Sequence, residues 1–109
     1  MKRLETIPSE RLKRCFEAGS VAALFPLLQG WTREELMALV DDVDTFHGVG
    51  LEKIGARAGE IARGAKRGRA GTVLRATLKR AQGKVEMRLM MVCSEISSVA
   101  QYYLHDGRA

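Results

Sequence analysis

From Val85 to Tyr103 the side chains Val85, Leu89, Val92, Ile96, Val99 and Tyr103 follow one another at steps of 4, 3, 4, 3 and 4 residues. Such a rhythm places them on one stripe only if the backbone turns every 3.6 residues, so it demands a helix. Looser apolar recurrence through Leu74, Leu78 and Ala81 predicts that this helix spans Thr72 to Leu104, with a possible break at Gly83. At 1.5 Å per residue it is about 50 Å long. In a chain of 109 residues, 46% apolar and 28% charged, a spine of that length leaves room for a few packing partners around one core. The expectation is an all-α fold: a compact bundle of four to five helices with a long C-terminal helix, residues 1–109 forming a single domain and 105–109 a frayed tail. Met87, Met90 and Met91 widen the apolar surface beyond the stripe. Burial on two sides is therefore expected, by the chain's own domain and by a second copy, which makes the Val85-to-Tyr103 stripe the predicted homodimer or partner face.

The upstream segments supply the partners. A first helix is predicted from Pro8-Ser9 to Gly19, with Leu12, Cys15 and Phe16 on one side and Arg11, Lys13, Arg14 and Glu17 on the other. Ser20 to Gly30 reads as a short buried helix or two turns that Pro26 must end or restart. Thr32-Arg33-Glu34-Glu35 is a capping box, so a helix begins there and runs through the stripe Leu36, Leu39, Val40, Val43 and Phe46 until Gly48-Val49-Gly50 ends it. Leu51 to Arg67 is a further helix carrying Gly55, Gly59 and Gly64. Each interior glycine costs about 1 kcal/mol relative to alanine, and a face of small residues against which another backbone packs closely is the expected compensation.

Charge is segregated along this order. Between Lys53 and Arg88 eleven residues are Lys or Arg and two are acidic, a net +9. Between Gln29 and Glu52 one base faces six acids, a net −5. The whole-chain figure of +5 conceals both. Clusters such as Lys66-Arg67-Gly68-Arg69 exceed what solubility requires, and flexible glycine lets backbone N–H groups approach phosphates while the cations displace counterions. The candidate nucleic-acid or acidic-partner site is therefore Lys53, Arg57, Arg63, Lys66, Arg67, Arg69, Arg75, Lys79 and Arg80. The competing reading is a solvated basic face pairing loosely with the acidic helix, which contributes little per pair. No aromatic residue lies between Phe46 and Tyr102, so contacts to backbone or shape are expected over base stacking.

Other chemistry is weakly signalled. Gly55 and Gly59 have the spacing of a helix-turn-helix, but Glu60 stands where that pattern needs an apolar residue. Asp44 and His47 share a helical face beside Asp41; an imidazolium near a helix C-terminus, held by Asp44, accounts for them better than a metal. Gly48-Val49-Gly50 is too short for a dinucleotide fingerprint. Cys15 or Cys93 with His47 or His105 could form a nucleophile pair, yet nothing in the spacing fixes one, and Cys93 in its apolar setting reads as a buried free thiol. Glu5, Pro8 and Glu10 interrupt any export signal, and the run Leu89 to Val99, broken by Ser94, Glu95, Ser97 and Ser98, is too short and polar to span a bilayer. The sequence thus predicts a cytoplasmic, non-enzymatic protein without cofactor, metal, membrane or small-molecule substrate. It binds nucleic acid as an accessory or regulatory factor. The alternative is a stoichiometric adaptor or inhibitor, such as an antiactivator or a phage- or plasmid-encoded anti-defence factor of the anti-CRISPR type.

Overall fold

A computed structural model describes residues 9–65 and 67–105. They form four helices, α1 (Glu10–Ala18), α2 (Val21–Leu28), α3 (Arg33–Arg63) and α4 (Arg69–His105), with no strand among the described residues. Local chemistry sets the boundaries. The Ser9 side chain accepts from the Leu12 N–H to start α1, and Gly19, at φ 79°, ends it in the left-handed region where glycine carries no steric penalty. Ser20 caps α2 through the Ala23 N–H. At Thr32 both bonds of the predicted capping box are present: Glu35 N–H to the Thr32 hydroxyl, 3.1 Å, and Thr32 N–H to the Glu35 carboxylate, 2.9 Å.

Three expectations about the helices change. Pro26 lies inside α2 without ending it. The carbonyl it deprives of a partner belongs to Ala22, which is exposed to water, while Leu24 and Leu28 on the opposite side are buried. Gly48-Val49-Gly50 does not end a helix either: the two helices expected on either side of it are one, α3, of 31 residues. At Gly50 α3 and α4 come close, since a Cβ there would fall 2.7 Å from Cδ2 of Leu89. By contrast a Cβ at Gly55 would meet nothing within 4 Å, and at Gly59 only the end of the Arg63 side chain, so the small face expected there packs against no backbone. Because both glycines lie inside α3, no helix-turn-helix turn exists. The long C-terminal helix is present as expected, α4 running unbroken through Gly83; it starts at Arg69, earlier than Thr72, and includes His105, and the rest of the expected tail lies outside the described residues.

The bundle is not compact throughout. The molecule measures 61 × 31 × 20 Å with a radius of gyration of 17.6 Å, against about 13 Å for a compact chain near this length. The reason lies in where the core sits. All twelve buried hydrophobic residues fall in two sequence windows, Leu12 to Val43 and Cys93 to Leu104. There α1 and α2 pack against the start of α3 and the end of α4, making a four-helix head. Phe16 and Phe46 meet at 5.2 Å between ring centroids, and the Tyr103 hydroxyl donates to the Phe25 carbonyl at 2.9 Å. Asp42 ties α1 to α3, its Oδ2 accepting from Ser9 Oγ at 2.7 Å and Arg11 Nε at 2.8 Å. Beyond the head, α3 and α4 run on alone as an antiparallel pair. This arm, residues 47–88, is about 25 Å long.

Candidate functional site

The basic residues singled out from the sequence fall on the arm. Lys53, Arg57 and Arg63 stand on α3, Arg67 in the turn, and Arg69, Arg75, Lys79 and Arg80 on α4, all of them exposed. Lys66 lies outside the described residues. Lys84 and Arg88, which belong to the same charge run, extend the group along α4 towards the head. Among the described residues the arm carries ten cations and three carboxylates, a net +7; the head, residues 9–46 and 89–105, carries four cations and eight carboxylates, a net −4.

These two populations do not neutralise one another. Among the described residues the ion pairs are Arg11 with Asp42, inside the head, and Arg57 with Glu60, one turn apart on α3 at 3.3 Å. No described arm cation pairs with the acidic first half of α3. Glu86, the acid of the charge run on the arm's portion of α4, accepts instead from Gln82 Nε2 at 3.0 Å. A basic face pairing with the acidic helix, the competing reading of the charge pattern, is thus absent from the described geometry. The physical cause is the unbroken α3: it sends the acids and the bases to opposite ends of a 31-residue rod.

Three arginines gather at the tip of the arm. Arg63 ends α3, Arg67 occupies the turn, and Arg69 opens α4. Gly68, at φ 94°, precedes Arg69 and has no side chain to cap the helix; its carbonyl accepts from both the N–H and the hydroxyl of Thr72. The first turn of α4 contains no acid, so the positive end of its dipole adds to the arginine charges. Chemically, the tip and flanks can hold a run of phosphates, each met by an exposed cation.

The predicted partner stripe divides. Ile96 and Val99 are 2% exposed and belong to the chain's own core, with Leu89 and Tyr103 packed beside them, so these four cannot serve as an open dimer face. Val85 and Val92 stand open at 51% and 37%. The wholly or partly buried side of α4 coincides only in part with the predicted stripe and includes Leu78, Gln82, Leu89, Cys93, Ile96, Ala100 and Leu104. Sequence reasoning missed this because the predicted rhythm admitted the large Val85 and Val92 and passed over Gln82 and Ala100, whose polarity or small size hides their position. On the far side of α4 a shallow groove of about 760 Å³ runs from Arg80 to Glu95 over Gly83, Met87 and Met91.

A second groove, about 550 Å³, opens on the head between α3 and α4 and brings together Asp44, His47, Cys93, Ser97, Tyr102 and His105. The sequence did not link these residues in space. Burial, reinforced by the Asp44 charge, pushes the Cys93 thiol up from its ordinary value, and burial pushes Cys15 up to about 11 against the lowering influence of Arg14. Both thiols are free and buried, and at neutral pH both are protonated. His47 lies in the middle of α3, so the expected placement of its imidazolium near a helix C-terminus does not hold. Among the described residues no group of three or more His, Cys, Asp and Glu side chains is gathered to hold a metal ion, and no helix is long and apolar enough to cross a membrane. Set against protein-family models, characterised proteins and solved structures, the chain matches none of them.

Proposed function

We propose that this protein is a small accessory or regulatory factor that binds nucleic acid through its basic arm, reading backbone phosphates and groove shape. The observation that carries the proposal is the projection of ten exposed cations on a two-helix arm, of which Arg57 alone is ion-paired among the described residues. Unpaired cations on a protruding rod release counterions when they meet phosphate, and no desolvated protein partner must first be given up. Lys53 and Arg57 on one helix and Arg75 and Lys79 on the other let the arm contact phosphates on both flanks, with Arg63, Arg67 and Arg69 at the end. The absence of aromatic residues from the arm disfavours base stacking as the source of affinity. The protein acts here by binding, in the cytoplasm, without a catalytic step.

A mobility-shift assay on a generic duplex tests this. Binding is expected at low salt and fades steeply as salt rises, and replacing Arg67, Arg69, Arg75 and Lys79 by alanine abolishes it above the lowest salt concentrations. No shift with DNA or RNA at low salt, combined with a single protein that co-purifies at fixed stoichiometry, selects instead the adaptor or inhibitor reading, in which the same cations meet an acidic protein surface.

A further inference from the structure

We propose that a second copy of this chain docks antiparallel on the outer face of α4, between Arg80 and Glu95. This face is distinct from the stripe buried against α3. At 100° per residue, Arg80, Met87 and Met91 point about half a turn away from Leu89, the residue that meets Gly50 of α3. Met87 and Met91 are 54% and 53% exposed, and with Val92 they floor the groove that runs along this face. Large side chains left open at helical spacing form a surface that gains from being covered.

The occupant is identified by complementarity. When two copies of α4 lie antiparallel about a two-fold axis between residues 87 and 88, Arg80 of each faces Glu95 of the other. In the same register Gly83 faces Val92 and Lys84 faces Met91, every pair occurring twice, as an isologous interface requires. Each match makes physical sense. Arg80 is held by no more than a 3.5 Å contact to Thr77 of its own helix, and both it and Glu95 are exposed and available to pair. A Cβ at Gly83 would meet nothing within 4 Å, which leaves space for a valine from the partner. The methylene stem of Lys84 can lie along a methionine while its ammonium reaches water.

The charge of the whole molecule selects the same orientation. The arm carries a net +7 and the head a net −4 among the described residues. Antiparallel packing sets the arm of one copy beside the head of the other, whereas parallel packing sets arm on arm and Arg80 on Arg80. Residue 87 is also the midpoint of α4, so the axis falls where the two helices overlap along their full length. Arg80, Lys84 and Arg88 then line the interface between copies, leaving the cations of α3 and the tip, with Arg75 and Lys79, to the phosphates.

Static light scattering with circular dichroism tests the pairing. The wild-type chain is expected at twice its 12.0 kDa mass. Arg80→Glu and Glu95→Arg each place like charges opposite one another and reduce the species to 12.0 kDa with unchanged helicity, and the double exchange restores the dimer. A wild-type mass of 12.0 kDa at the highest attainable concentration overturns the proposal, as do single reversals that remain dimeric or a double exchange that stays monomeric. A monomer that still shifts duplex DNA removes this proposal while leaving the nucleic-acid reading intact.

Discussion

The head and the arm are built from the same two long helices and differ in what else touches them. In the head, α1 and α2 close over α3 and α4, and Leu12, Leu28, Leu39 and Ile96 are all but inaccessible. In the arm each helix has a single neighbour, and Ile61, Leu74 and Val85 remain 37%, 41% and 51% exposed. A two-helix layer cannot surround its apolar side chains, so its stability depends on continuity with the head. The lesson is a division of labour: the head provides cohesion, and the arm presents charge at a distance from the acids that would otherwise pair with it.

The largest expected effect separates the two regions directly. Leu39→Ala or Leu28→Ala in the head should destabilise the whole chain by about 2–5 kcal/mol in denaturant unfolding, because a buried side chain is removed and a cavity remains. Leu78→Ala in the arm should cost under about 1.5 kcal/mol, since Leu78 is only partly buried. Equal losses would mean that arm and head share one core. Native-state hydrogen exchange sharpens the same contrast: amides of residues 47–63 and 69–88 should exchange faster than those of 33–46 and 93–104.

The thiols provide a pH-dependent version. Cys15 is buried in the head with its pKa raised from 9.0 to about 11, chiefly by desolvation. Below the unfolded value both states hold the proton and the contribution of the buried neutral thiol is complete. Between pH 9.0 and about 11 the unfolded chain ionises first, so stability falls as pH rises, by about 2–3 kcal/mol. Cys15→Ser, read by thermal unfolding across that range, should flatten the slope. Under native conditions near pH 8 neither thiol should react readily with a soluble disulfide reagent, and fast labelling of both would show that the head opens.

The smallest expected effect tests the arm from inside. Gly55→Ala adds a methyl group where nothing lies within 4 Å, on helical backbone, and should stabilise by about 0.5–1 kcal/mol. Gly50→Ala should gain less or lose, because its Cβ must displace the end of Leu89.

Much of the head was legible in the sequence because its signals are local. Ser9, Gly19 and the Thr32 capping box are written in adjacent residues, and the stripe Leu36, Leu39 and Val43 has one helical periodicity and one buried face. The arm was legible in charge and obscure in geometry. Gly48, Gly50, Gly55 and Gly59 look like breaks to any local reading, yet α3 runs unbroken through them while packing along α4, a tertiary effect that propensity does not contain. The Val85-to-Tyr103 rhythm was real as a helix signal and misleading as a face, since Leu89 and Ile96 belong to both the predicted and the actual stripe. Which of two overlapping stripes a helix buries depends on its neighbours, here on α3 reaching Leu89 at Gly50.

The central claim is that the arm's cations, and not the molecule's net charge, bind nucleic acid. Fluorescence titration of a labelled duplex over a series of salt concentrations measures it most directly, with Arg67, Arg69, Arg75 and Lys79 changed to alanine in one variant and the exposed head residues Lys13 and Arg33 changed in another. The account predicts that the arm variant loses about 3 to 4 from the slope of log affinity against log salt, at about 0.9 per phosphate contact, while the head variant keeps the wild-type slope. Equal slopes in all three proteins, or no binding by the wild type at low salt, would contradict it.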